Sequence, residues 1–124
     1  MNRFAFAAAL ICASPAFADA AYFAAIEDLP LPPGFVERDA GAGFDSGEGR
    51  LVLAYAEGEL SGVAVRDFYY DALPQLGWAV SPRPDGALVF QRGREELSFT
   101  FEREGASSRL GVRLVTHPAP TNGN

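Results

Sequence analysis

The chain has 124 residues, 48% of them hydrophobic and 21% charged, with a formal net charge of -6 and one cysteine. That is the content of a single core-forming domain, and it excludes a disordered chain, a collagen-like chain and a disulfide scaffold. All ten basic residues are arginines, which removes Schiff-base lysine chemistry and the P-loop lysine, and the acidic balance argues against a nucleic-acid partner, because neutralising phosphates needs a clustered excess of cations.

Residues 1–18 read as a cleaved signal peptide. Arg3 gives the basic start, Phe4 to Ala13 the apolar run, and Ala16-Phe17-Ala18 the small residues ahead of a cleavage site. The run is shorter than the roughly 20 residues of a membrane span, so the expectation is a periplasmic product without a stable membrane anchor, cut after Ala18 or, alternatively, after Ala20. Cys12 follows Ala9-Leu10-Ile11; bulky Ile11 departs from the small residue that precedes a lipidated cysteine in bacterial lipoproteins. Cleavage removes Cys12, and with it any thiol, disulfide or cysteine metal site.

Residues 19–34 form an N-terminal segment with a Pro-rich linker. Tyr22, Phe23, Ile26 and Leu29 have the spacing of a short helix, ended by Pro30, Pro32 and Pro33. The domain proper spans residues 35–116. Phe35-Val36 starts a short edge strand, and Asp39 to Gly49, with four glycines, reads as a loop. Arg50 to Glu57 is apolar on both parities, the mark of a central strand. Ser61 caps a helix over Gly62 to Gln75, which Pro74 loosens and Gly77 stops. The period then shortens to two. Trp78 to Ser81, Ala87 to Arg92, Glu96 to Arg103 and a last strand through Leu110, Val112 and Leu114 make a C-terminal β-meander, with a turn at Pro84-Asp85-Gly86. The expected fold is α+β: one main helix packed on a four- to five-stranded antiparallel sheet. Residues 117–124 are expected to be a disordered tail.

The residues able to carry chemistry are few. The only histidine, His117, sits at the start of the proline-containing tail, which leaves Ser-His-Asp chemistry without a held base, and no Gly-x-Ser-x-Gly elbow is present. No metal site is expected, because zinc lacks ligands and Asp39, Asp45 and Glu48 do not follow calcium-loop spacing. Gly41-Ala42-Gly43 leads into a strand rather than the helix of a dinucleotide site, and no cofactor is expected. The carboxylate pairs Glu57/Glu59, Glu95/Glu96 and Glu102/Glu104 read as a charged solvent edge, with a carboxylate-based hydrolase as the enzymatic alternative.

Four residues stand out as interaction candidates. Arg109 and Arg113 share the parity opposite to Leu110, Val112 and Leu114, which places them with Ser98 and Thr100 on one sheet face, suited to an acidic partner or an anionic head group; pairing with Glu102 and Glu104 is the competing use. Of Phe68, Tyr69 and Tyr70, successive residues turn by 100° and cannot all face one core. Tyr70 is expected outward beside Trp78, as an aromatic anchor. The stretch Tyr69-Tyr70-Asp71-Ala72-Leu73-Pro74-Gln75-Leu76-Gly77-Trp78 resembles small exported proteobacterial proteins of uncharacterised function that carry Tyr-x-x-x-Leu-Pro-x-Leu-Gly-Trp. The resemblance implies an α+β domain and no catalytic residues. The functional expectation is a non-enzymatic module of the bacterial envelope that binds another envelope protein. The alternative is a protein that holds a small apolar or lipid ligand between helix and sheet.

Overall fold

The computed structural model describes residues 21–119; the expected leader with Cys12, and most of the expected tail, lie outside the described residues. Six strands, β1 (Val36–Ser46), β2 (Gly49–Gly58), β3 (Ala79–Val80), β4 (Leu88–Arg92), β5 (Glu95–Glu104) and β6 (Ser107–Thr116), form one antiparallel sheet in the order β1-β2-β6-β5-β4-β3. One helix, α1 (Gly62–Ala72), connects β2 to the meander. The α+β reading holds, but the sheet is larger than four or five strands and the helix is a small part of the whole.

The extra strand comes from the glycine-rich stretch read as a loop. Asp39 to Ser46 belongs to β1, which pairs with β2 from Val36↔Glu57 to Ser46↔Gly49, with a register shift between Arg38 and Ala42. Glycine weakens a strand locally, but pairing along a whole hairpin overrides that preference. Across the turn, Arg50 Nε lies 3.5 Å from Asp45 Oδ1.

Local signals set the helix. Ser61 Oγ accepts from Ala64 N–H at 3.1 Å as the N-cap. The α-helix ends at Ala72 and tightens into a 3₁₀ turn over Leu73–Leu76, where Pro74 lacks a donor, and Gly77 stops it at φ 92°.

Register sorts the strand residues onto two faces. One face carries Val52, Ala54, Ala56, Leu88, Phe90, Leu97, Phe99, Leu110 and Val112, nearly all buried in a single core. Two elements cover it. From α1 and its last turn come Val65, Tyr69, Ala72 and Leu73; from the N-terminal segment come Phe23, Ile26, Leu29, Leu31 and Phe35. The helix is therefore not the sole cover.

That segment is not a helix. It closes on itself through Phe23 N–H to Leu29 O (2.9 Å) and Leu31 N–H to Ala21 O (2.8 Å), with Asp28 left-handed at φ 65°. Its turn is held from outside, because the Glu37 carboxylate on β1 accepts from Ala24 N–H (2.6 Å) and Ala25 N–H (3.2 Å). A charged acceptor on two backbone donors is worth more than a neutral hydrogen bond. Glu37→Ala is expected to cost about 2 kcal/mol in chemical denaturation and to raise amide exchange at Phe23 to Asp28 first, while α1 amides keep their protection.

Candidate functional site

Among the described residues, no layer of secondary structure lies over the second sheet face. Its rows follow from the register: Leu51–Val115–Glu96–Gln91, then Leu53–Arg113–Ser98–Val89, then Tyr55–Gly111–Thr100, then Glu57–Arg109–Glu102. The apolar odd residues of β2 belong to this face and are only half-buried, so the strand is apolar on both sides without being covered on both. Exposed Phe44 and Val36 of β1 extend the same face at its edge.

Gly111 gives the face its relief. A Cβ there would lie 2.6 Å from Thr100 Oγ1 and 3.4 Å from Tyr55 Cε1, so the glycine lets Tyr55 and Thr100 close over β6. On either side of it are two shallow depressions of about 330 and 320 Å³. The first is bordered by Leu53, Ser98 and Arg113, the second by Glu102 and Arg109.

Arg109 and Arg113 flank Gly111 on the face expected for them. Four residues of strand separate them by ~14 Å. Arg109 packs its guanidinium over Tyr55, 4.7 Å from the ring centroid. Among the described residues, neither arginine is within ion-pair distance of a carboxylate, whereas Arg38 pairs with Glu57 (3.4 Å) and Arg83 with Glu96 (3.4 Å). Arg109 nonetheless stands between Glu57 and Glu102 in its row without closing an ion pair on either, whereas Arg113 stands between Leu53 and Ser98. Tyr55 and Gly111, which no sequence motif singles out, complete the surface. The signal was present in the shared parity of Tyr55 with Leu51 and Leu53, but the β2–β6 register was needed to use it.

The aromatic helix residues divide as helical geometry requires. Tyr69 is fully buried, Phe68 partly so, and Tyr70 is 43% exposed, with Arg66 5.9 Å over its ring and Phe90 edge-on at 6.0 Å. Trp78, however, is only 6% exposed. Its ring lies under Arg92, whose guanidinium is 4.4 Å from the centroid and is itself held by Glu95 Oε1 (3.0 Å) and Leu76 O (3.0 Å). Trp78 is thus a buried residue with Arg92 of β4 packed on its ring, and it does not stand exposed beside Tyr70.

A larger cavity, about 550 Å³, lies beside Trp78. It sits between the N-terminal loop and the sheet, not between helix and sheet. Phe23, Ile26, Val52 and Trp78 stand behind its wall but are themselves buried in the core, and Glu27, Asp28, Arg50, Arg92 and Glu95 make its accessible lining mainly polar.

Of the residues in the carboxylate pairs, Glu57 and Glu102 share a row on the second face with Arg109 between them, while Glu95 and Glu96 diverge. Glu95 and Glu96 are consecutive on β5 and project to opposite faces, Glu95 to Arg92 and Glu96 to Arg83. Burial pushes the Tyr69 hydroxyl well above the ordinary tyrosine value. That hydroxyl donates to Pro30 O at 2.8 Å inside the core. His117 is exposed at the end of β6, its N–H bonded to Arg94 O and its carbonyl accepting from Arg94 Nη1. Among the described residues no group of three or more His, Cys, Asp or Glu is placed to hold a metal ion, and no helix is long and apolar enough to cross a membrane. No protein-family model, curated protein or solved structure matches the chain.

Proposed function

We propose that the protein is an exported, periplasmic, non-enzymatic module that docks an acidic surface of another envelope protein on its uncovered sheet face. The observation that carries this reading is the pair Arg109 and Arg113, neither of which closes an ion pair among the described residues. They flank a glycine-floored depression on a chain whose net charge is -6. Guanidinium groups that close no ion pair of their own keep their donors available to carboxylates from outside, and their planar forks give orientation as well as attraction. Tyr55, Ser98 and Thr100 supply hydroxyls between them, and Leu53, Leu51 and Phe44 supply apolar contact. Support for export is the order of Arg3, the Phe4–Ala13 run and Ala16-Phe17-Ala18 in the leader.

The test is site-specific photocrosslinking in the periplasm. A photoreactive residue at Thr100 is expected to give a discrete adduct with an envelope protein; the same residue at exposed Val63 on α1 is expected to give none. Arg109→Glu with Arg113→Glu should reduce the Thr100 adduct at least fivefold; the reversal at position 109 places a third carboxylate between Glu57 and Glu102 and is expected to lower the melting temperature, so the yield is read well below the transition, where the variant is folded. An adduct of unchanged yield in the charge-reversed protein, or no adduct from Thr100, would overturn the reading.

A further inference from the structure

Resting on the docking role proposed for the sheet face, we infer that Arg113 alone takes the partner's carboxylate, and that the partner lays down an extended segment with one acidic residue and an apolar residue two positions along. Arg109 and Arg113 are alike in parity and unlike in surroundings. Arg109 stands in its row between Glu57 and Glu102, with Glu104 one row beyond, and Arg38 is drawn to Glu57 at 3.4 Å. That end of the face therefore holds at least as many carboxylates as arginines. Arg113 stands between Leu53 and Ser98, neither of them charged, and Glu96, one row further along β5, is held by Arg83 at 3.4 Å. Among the described residues, Arg113 is thus the arginine of this face whose charge its neighbours leave uncompensated.

The relief of the face supplies the rest of the motif. The hollow of about 330 Å³ begins at Arg113 and Ser98 and ends at Tyr55 and Thr100, which close over Gly111 one row, about 7 Å, away. Strands packed face to face run within about 30° of one another, so an extended segment laid along β6 repeats that spacing. A carboxylate at its residue i meets the Arg113 guanidinium beside the Ser98 hydroxyl, and an apolar side chain at i+2 rests in the hollow against Leu53 and Tyr55. Residue i+4 reaches the Arg109 row, where a second carboxylate would face Glu57 and Glu102 as well as the guanidinium, and like charges offset the gain. Arg109 is a positioning residue instead: its guanidinium packs on the Tyr55 ring, 4.7 Å from the centroid, and supports that wall of the hollow.

Three capped peptides rich in threonine, which favours extended backbone, serve as probes: the monoacid Thr-Glu-Thr-Val-Thr-Gln-Thr, a neutral form with Gln in place of Glu, and a diacid with Glu in place of Gln. Each is titrated into the isotope-labelled protein, and dissociation constants are read from the amide shifts of Ser98 and Gly111. The monoacid is expected to bind about fivefold tighter than the neutral peptide, the effect of one charge-assisted contact at an exposed site, and within about twofold of the diacid. Arg113→Gln should erase the difference between monoacid and neutral peptide, and Arg113→Lys, which keeps the charge without the fork, should restore part of it. Arg109→Gln should weaken both peptides alike through the Tyr55 wall and leave their difference intact. A diacid advantage above about twofold that vanishes in Arg109→Gln overturns the inference and leaves the face as a docking site for two carboxylates. Equal binding of monoacid and neutral peptide, or no shift with any of the three, overturns it as well, whereas the Thr100 adduct decides the docking role separately.

Discussion

Tyr69→Ala is expected to destabilise the protein by about 3–5 kcal/mol, and Tyr69→Phe by about 1–2 kcal/mol. The difference separates two roles of one side chain. Its ring stacks on Phe99 at 4.5 Å and meets Phe68 edge-on at 5.0 Å; loss of that bulk from a fully buried position leaves a cavity. Its hydroxyl joins the helix to the N-terminal segment by donating to Pro30 O, and phenylalanine leaves that carbonyl unpaired inside the core. The alkaline behaviour follows from the same burial. The native state keeps Tyr69 protonated above the pH, near 10, at which an unfolded tyrosine releases its proton. The unfolded chain then binds fewer protons than the native one, so stability present below pH 10 is lost as pH rises beyond it. Urea unfolding of wild type and Tyr69→Phe at pH 8 and pH 11 is expected to show a larger decline in the wild type. Equal declines would assign the alkaline limb to other groups.

Gly58→Ala is the second large effect. Gly58 ends β2 directly beneath Phe35, and an added Cβ would overlap the Phe35 ring. Phe35 is 4% exposed in the core, so either the ring leaves its site or the strand end shifts, at a cost of about 2–3 kcal/mol. The cause is testable by a double-mutant cycle. Phe35→Ala alone is expected to cost about 3–5 kcal/mol, but in that background Gly58→Ala should lose most of its effect, giving a coupling of about 1–2 kcal/mol. Full additivity would place the cost of Gly58→Ala in the strand backbone instead.

The elements that the sequence made readable are those specified by near neighbours. Ser61, Pro74 and Gly77 act within a turn of their own positions, so the cap, the loosened last turn and the stop were each visible. The alternation of Leu97, Phe99 and Phe101 against Ser98, Thr100 and Glu102 likewise placed Arg109 and Arg113 on their face, because parity carries across a hairpin. The misread elements are held by distant partners. Tyr22, Phe23, Ile26 and Leu29 have helical spacing, yet their backbone is turned by the Glu37 carboxylate of the following strand. The glycines of β1 are strand residues only because β2 lies alongside. Trp78 reads from the sequence as an interaction candidate beside Tyr70, and the side chain that covers it arrives from β4. The cavity was invisible for the same reason, since its walls come from segments that meet only through the β2–β6 pairing.

That pairing also sets an order of assembly. The β1–β2 hairpin and the β3–β6 meander each form from strands adjacent in sequence, whereas β2 and β6 are joined across the whole intervening helix and meander, from Gly58↔Ser108 to Arg50↔Thr116. Closing that seam carries the largest loop entropy in the sheet, and slow steps in folding belong to contacts of long sequence separation. A chain still in extended form has its β6 made last, so the seam cannot close until nearly the whole domain has emerged. The two half-sheets would each present an unpaired inner edge until that moment, the interval in which the protein is most open to pairing with the wrong strand.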